Sequence, residues 1–81
     1  MTRDEAFETF RSSAAQVLSV DADKVVMEAS FAEDLDADSL DLVEFVMDLE
    51  EKFVVEIPES DLEGVKTVGN AFDLVCGKLG I

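Results

Sequence analysis

A run of carboxylates that ends on a single serine is the stretch of this chain with the richest chemistry. It is Asp34-Leu35-Asp36-Ala37-Asp38-Ser39-Leu40-Asp41, and a strong helical pattern from Leu40 to Phe53 follows it directly. A serine at the entrance of a helix can cap the helix, accept a phosphate group, or do both. A serine nucleophile needs an activating base, but the chain has no histidine, and Lys52 lies too far along the same helix to activate Ser39. We therefore predict no catalytic residue.

The same stretch imitates the opening of a calcium-binding loop. Asp34, Asp36 and Asp38 have the spacing of the first ligands of an EF-hand. The sixth position would need glycine and is Ser39, and the twelfth would need a bidentate glutamate and is Phe45. No glycine-rich phosphate loop and no Cys/His cluster is present. We predict no metal ligands, although a small, acidic, calcium-responsive interaction domain stays open as an alternative function.

Length and charge limit the other functions. The chain has 81 residues, of which 48% are hydrophobic, so we expect one small folded domain spanning residues 1–81. Its net charge is −14, and between Val25 and Val65 the only base is Lys52. Such a surface repels nucleic acid and attracts basic protein patches. With one cysteine and no long apolar run, we expect a cytoplasmic monomer without membrane insertion.

Helix signals alternate with two connections. Thr2 and Glu5 form a capping-box pair for a first helix over residues 3–18. Residues 19–38 form a long loop with apolar anchors at Val20, Val25, Val26, Met27, Phe31 and Leu35. We predict that Val25-Val26-Met27 is a loop rather than a strand, because no second strand is available to pair with it.

The second half of the chain contains the remaining helix signals. Asp38 is the expected N-cap of the second helix, with Asp41 as a second acceptor. Pro58 bars a continuous helix, and residues 59–62 can form a short helical turn after it. Thr67 then caps a last helix. The pattern predicts an all-α fold of three main helices, one short helical segment and a long first loop.

Three sets of side chains separate around the second helix when successive residues are placed about 100° apart. The core face is formed by Leu42, Phe45, Val46, Leu49 and Phe53. An acidic stripe is formed by Asp41, Glu44, Asp48 and Glu51, and an apolar trio beyond it by Leu40, Val43 and Met47. The stripe can simply be solvated while the trio touches the neighbouring loop or the short helix. The trio also adjoins Ser39, which favours a docking surface for partner proteins.

The residues around Ser39 belong to an ordered set of short motifs that resembles the acyl carrier proteins. The set extends over about residues 4 to 79 and consists of Phe31-Ala32-Glu33-Asp34-Leu35, Asp38-Ser39-Leu40-Asp41, Val43-Glu44, Met47, Leu49-Glu50-Glu51-Lys52-Phe53, Glu56-Ile57-Pro58 and Thr67-Val68. A lone Asp-Ser-Leu would be weak, whereas the ordered set is specific. One departure is Asp36, which stands where many members have glycine.

The resemblance implies a fold, a cofactor and partners. The fold would be a four-helix bundle with a short third helix. Ser39 would carry 4′-phosphopantetheine, transferred from coenzyme A by a separate magnesium-dependent phosphopantetheinyl transferase, and Asp38 would lie near that enzyme's metal. Asp41, Glu44 and Asp48 match docking acids, Leu40, Val43 and Met47 match docking apolar positions, and Val54-Val55 is expected to line the acyl cavity.

The function implied is that of a carrier, not an enzyme. Acyl chains would be held as thioesters on the arm and presented to fatty-acid synthesis enzymes through basic docking patches. A polyketide or aminoacyl carrier is the alternative within the same family.

Overall fold

Three α-helices dominate the computed structural model, which describes residues 1–81. They are α1 (Arg3–Leu18), α2 (Ser39–Phe53) and α3 (Val68–Leu79). Two 3₁₀ turns lie between them, the first at Ala22–Lys24 and the second at Glu59–Leu62. The all-α prediction is confirmed. The expected short third helix is the four-residue second 3₁₀ turn, and the first 3₁₀ turn was not predicted.

Each α-helix begins with a reciprocal capping box. In α1 the Thr2 hydroxyl accepts the Glu5 N–H at 3.2 Å, and the Glu5 carboxylate accepts the Thr2 N–H at 2.9 Å. The Thr67 and Asn70 side chains do the same for α3. These boxes satisfy N–H groups that a helix otherwise leaves without acceptors, so local sequence fixes where the helices start.

The core is built on phenylalanine rings that join the three helices. The Phe10 ring of α1 meets the Phe45 ring of α2 at 5.1 Å and the Phe72 ring of α3 at 5.6 Å between centroids. All eighteen buried hydrophobic residues belong to one cluster. Leu42, predicted on the core face of α2, is only half-buried at its edge. Cys76 is buried in α3, and this burial raises the pKa of its thiol.

The first connection, residues 19–38, is fastened to the start of α3 by backbone hydrogen bonds. Val68 N–H donates to the Ala29 carbonyl and Gly69 N–H to the Met27 carbonyl, both at 2.9 Å. Phe31 N–H donates to the Lys66 carbonyl at 3.1 Å. The only β-pairing is an isolated bridge between Ser30 and Thr67. Val25-Val26-Met27 is therefore loop, as predicted.

Two of the expected anchors in this connection are not buried. Val25, Phe31 and Leu35 are buried as predicted, whereas Val26 and Met27 are 43% and 40% exposed. A turn closed by the Ala29 N–H on the Val26 carbonyl, at 3.0 Å, places both side chains on its outside. The prediction was wrong here because an apolar residue type does not reveal which side of a turn it occupies.

Two side-chain contacts fasten the second connection, residues 54–67, to the helices on either side of it. The Glu50 carboxylate of α2 accepts the Ile57 N–H at 2.9 Å, and Lys78 of α3 pairs with Asp61 at 2.9 Å. Val54, expected to line a cavity, is instead 88% exposed. It ends α2 in the left-handed region, with φ of 54°. That conformation, which is uncommon for a β-branched residue, turns its side chain to solvent.

Candidate functional site

Ser39 is the first residue of α2, and its side chain is free. Asp38, not Ser39, caps the helix: its carboxylate accepts the Asp41 N–H at 2.9 Å, while the Asp41 carboxylate accepts the Asp38 N–H at 3.3 Å. Ser39 is exposed, and its hydroxyl makes no hydrogen bond within the protein. A serine at this position can cap the helix or accept a phosphate group, and Asp38 already caps the helix.

The surroundings of Ser39 suit a bound phosphate group. The backbone N–H groups of Ser39 and Leu40 have no acceptor, as expected for the first turn of a helix. Free N–H groups at the positive end of a helix dipole favour an anion. A phosphodiester on the Ser39 hydroxyl therefore fits the donors present.

The loop before Ser39 is a closed turn that fixes the approach to α2. Ser30 lies at its base: the Ser30 N–H donates to the Asp34 carboxylate at 2.7 Å, and the Ser30 carbonyl accepts the Leu35 N–H at 3.1 Å. Asp36 has φ of 52°, in the left-handed region where glycine is unstrained and aspartate is tolerated. This backbone explains why a glycine is suited to the Asp36 position.

The aspartates of this loop do not converge on a common point. Asp34 turns back to Ser30, and Asp38 caps α2. No group of three or more Asp, Glu, His or Cys side chains is placed to hold a metal ion. The geometry therefore does not favour the calcium-responsive alternative.

The residues predicted to dock partners lie along α2 but differ in exposure. Leu40 and Met47 are 65% and 59% exposed, and Glu44 and Glu51 are also exposed. Val43 and Asp41 are half-buried. Two exposed apolar side chains beside free carboxylates form a surface that a basic, partly apolar patch can cover.

Asp48 differs from the rest of the acidic stripe because it contacts α1. The hydroxyl of Ser13, which is fully buried, donates to the Asp48 carboxylate, and Lys52 Nζ pairs with the same oxygen at 2.9 Å. The Ser13 hydrogen bond and then Lys52 hold the pKa of Asp48 below its ordinary value. Sequence reasoning missed Ser13, although its place three residues after Phe10 and four before Val17 puts it on the core face of α1.

Two surface grooves meet at Ser39 and Leu42. One, here called the loop groove, has a volume of about 330 Å³ and lies between the first connection and Val65-Lys66. The other, the helix groove, has about 260 Å³ and lies between α2 and the second 3₁₀ turn; its other lining residues are Val43, Glu59, Leu62 and Glu63. A smaller pocket of about 160 Å³ continues from it along α2 to Glu50 and Ile57.

Comparison with known proteins agrees with this geometry. Residues 8–75 match the family described as "Phosphopantetheine attachment site". Acyl carrier proteins are similar over nearly the whole chain. The one from Petrotoga mobilis is 49% identical over 81 residues, covering 100% of this chain and 95% of its own. The one from Thermosynechococcus vestitus is 52% identical over 79 residues, covering 98% of each.

A solved structure extends the likeness to the fold. The acyl carrier protein from Enterococcus faecalis superposes with a TM-score of 0.76 at 35% identity, covering 96% of this chain and 99% of that one. The chain belongs to the acyl carrier protein family. Its cofactor is 4′-phosphopantetheine, and its function is to carry acyl chains, so these predictions are confirmed. No helix has the length and apolar character needed to span a membrane.

Proposed function

We propose that Ser39 is the residue that carries the phosphopantetheine arm. The observation that supports this most is its exposed, unbonded hydroxyl at the head of α2, beside two N–H groups without acceptors. Asp38 performs the capping, so esterification of Ser39 removes no contact on which the fold depends. In the transfer, Ser39 Oγ attacks the pantetheine-bearing phosphorus of coenzyme A, the bond to the nucleotide's phosphate oxygen breaks, and the hydroxyl proton leaves to a base.

That base must come from the transferase. The chain has no histidine, and the Asp38 Oδ1 atom is occupied by the Asp41 N–H. The second Asp38 oxygen makes no hydrogen bond in the protein. Asp38 is therefore suited to lie beside the magnesium ion of the transferase.

The acyl thioester must be formed on the arm rather than on the protein. Cys76 is the only thiol of the chain, it is 1% exposed, and burial raises the pKa of that thiol. A buried thiol with little thiolate is a poor nucleophile. The arm supplies the thiol when it is bound, and the protein residues position the arm and dock the partners.

We further propose that the outer face of α2 presents the arm to the enzymes of fatty-acid synthesis and to the transferase. The exposed carboxylates Glu44 and Glu51 and the exposed apolar side chains Leu40 and Met47 support this, with Asp41, Val43 and the tethered Asp48 at the edges of the same surface. Acids steer a basic partner and raise its association rate, while the apolar pair supplies contact area. The chain then acts as a monomeric, cytoplasmic carrier and not as a catalyst.

Mass spectrometry of the intact protein tests the attachment site. Incubation with coenzyme A, magnesium and a phosphopantetheinyl transferase should add one phosphopantetheine group to the native protein and none to Ser39→Ala. Ser60→Ala is the matched control, since Ser60 is exposed in the second 3₁₀ turn; it should be modified normally. Modification of Ser39→Ala, or none of the native protein, would contradict the proposal.

A further inference from the structure

The two grooves that meet at Ser39 differ in charge. Glu59 and Glu63 line the helix groove, which has no basic residue. The loop groove contains Glu33 and Asp38 together with Lys66. An anion attached to Ser39 therefore meets only carboxylates in the helix groove, whereas in the loop groove a cation offsets part of the negative charge.

Lys66 is one of the few bases of this chain that is free to pair. Arg3, Arg11, Lys52 and Lys78 are all engaged in ion pairs within the protein, whereas Lys24 and Lys66 are not; the four engaged pairs are Arg3–Asp73, Arg11–Glu8, Lys52–Asp48 and Lys78–Asp61. Lys24 lies elsewhere, in a pocket that does not include Ser39. Lys66 is thus the only unpaired side-chain cation on the walls of either groove.

The backbone of Lys66 is held in place while its side chain is exposed. Its carbonyl accepts the Phe31 N–H at 3.1 Å, and its N–H donates to the Asn70 side-chain oxygen at 3.2 Å. The residue is anchored to the buried floor of the first connection on one side and to the cap of α3 on the other. Its ammonium group therefore projects from a fixed point beside the loop groove.

We propose that Lys66 is the counter-ion of the phosphodiester formed at Ser39, and that the loop groove holds the part of the arm next to the phosphate. This inference rests on the proposed attachment at Ser39. The groove's volume of about 330 Å³ is within the range of small-molecule sites, and Phe31, Leu42 and Val65 on its walls offer apolar contact to the carbon chain. The exposed Lys66 makes the preference modest, since ion pairs in water are weak.

NMR of the phosphopantetheine-loaded protein tests the choice of groove. The arm has two methyl groups close to its phosphate, and their nuclear Overhauser contacts report where it lies. Contacts are expected to Val65, which lines the loop groove and not the helix groove, rather than to Val43 or Leu62, which line the helix groove and not the loop groove. Lys66→Glu should reduce the Val65 contacts at least two-fold and shift the ³¹P resonance, while Lys66→Arg should preserve both.

Lys24→Glu is the matched control, because it makes the same change of charge at the other unpaired lysine. It should leave the Val65 contacts and the ³¹P resonance unchanged. Contacts to Val43 or Leu62 in the native protein, or equal losses in Lys24→Glu and Lys66→Glu, would overturn the assignment of Lys66. An intact mass without phosphopantetheine on Ser39 would instead overturn the attachment site, so the two failures are distinguishable.

Discussion

The acidic side chains at the start of and along α2 fall into two groups that face different surroundings. Glu44 and Glu51 point to solvent and make no hydrogen bond within the protein. Asp38, Asp41, Asp48 and Glu50 each accept a hydrogen bond from the protein, respectively from the Asp41 N–H, the Asp38 N–H, the Ser13 hydroxyl and the Ile57 N–H. The acidic residues that give the net charge of −14 therefore do not all belong to a docking surface. Some of these acids hold the fold together, and others are free for partners.

The largest effect is expected for Asp48, because its removal leaves the buried Ser13 hydroxyl without an acceptor. Asp48→Ala should lower the free energy of unfolding by about 2 kcal/mol, the usual size for a lost charge-assisted hydrogen bond. Urea denaturation followed by circular dichroism measures it. Ser13→Ala with Asp48→Ala in one chain is the control and should recover part of the loss; an additive double variant would show that the two side chains do not interact.

The lowered pKa of Asp48 predicts how the stabilising effect of the Ser13–Asp48 hydrogen bond changes with pH. A carboxylate with a folded pKa below its unfolded value contributes stability that is complete above the unfolded pKa, about 4, and is lost as the pH falls through the folded pKa. The stability difference between native protein and Asp48→Asn should therefore be largest near neutral pH and should narrow in acid. A difference that stays constant between pH 7 and pH 3 would contradict the assignment.

Glu50 should have a smaller and more local effect. Glu50→Met keeps the length of the side chain but leaves the part-buried Ile57 N–H unsatisfied, which costs about 1–2 kcal/mol. Hydrogen exchange at the Ile57 amide should accelerate about ten-fold or more, with little change at the Phe31 amide in the first connection. Glu50→Gln keeps an acceptor and serves as the control. Equal acceleration at both amides would mean that the two connections open together.

Substitutions of Asp38, the N-cap of α2, and of Ser39, its first residue, should separate the capping role from the modification role. Asp38→Ala should cost about 1 kcal/mol of stability because it removes the N-cap. Ser39→Ala should change stability by less than about 0.5 kcal/mol, since the Ser39 hydroxyl makes no contact. Thermal unfolding of the unmodified proteins gives both values. If Ser39→Ala lost as much stability as Asp38→Ala, the Ser39 hydroxyl would have to act as a cap of α2.

The outward acids should show the smallest effect on stability and a clear effect on association. Glu44→Lys should change the free energy of unfolding by less than about 0.5 kcal/mol and slow association with a basic partner several-fold at low salt. The kcat/KM of phosphopantetheinyl transfer at low and high salt measures this. Glu56→Lys, an exposed glutamate outside α2, is the control; an equal reduction there would indicate general charge and no specific docking face.

The sequence predicted those features that depend on neighbours along the chain. The three helix starts follow from Thr2, Asp38 and Thr67, whose capping partners lie three residues on, and the helix faces follow from the repeat of 3.6 residues. The position of Ser39 at the head of α2 follows from the same local pattern. The role of Ser39 as an attachment site was inferred from the ordered motifs that resemble the acyl carrier proteins.

The features that were missed depend on neighbours across space. Asp48 lies at the edge of the acidic stripe nearer the core, and only the position of α1 shows that Ser13 approaches it. Val54 was expected in a cavity because it is apolar, but the left-handed end of α2 turns it outward. The hydrogen bond from the Ile57 N–H to Glu50, and the lack of an ion-pair partner for Lys66, likewise depend on how the second connection folds back.

The bridge between Ser30 and Thr67 has a consequence for how the protein is made. Residues 27–31, which support the loop before Ser39, are tied by backbone hydrogen bonds to residues 66–69. During synthesis the ribosome releases Ser39 long before residues 66–69, and contacts between such distant segments form late in folding. We therefore expect Ser39 to reach its final position only after α3 has been synthesised and has packed against the first connection. A transferase that is sensitive to this position would then modify completed chains in preference to growing ones.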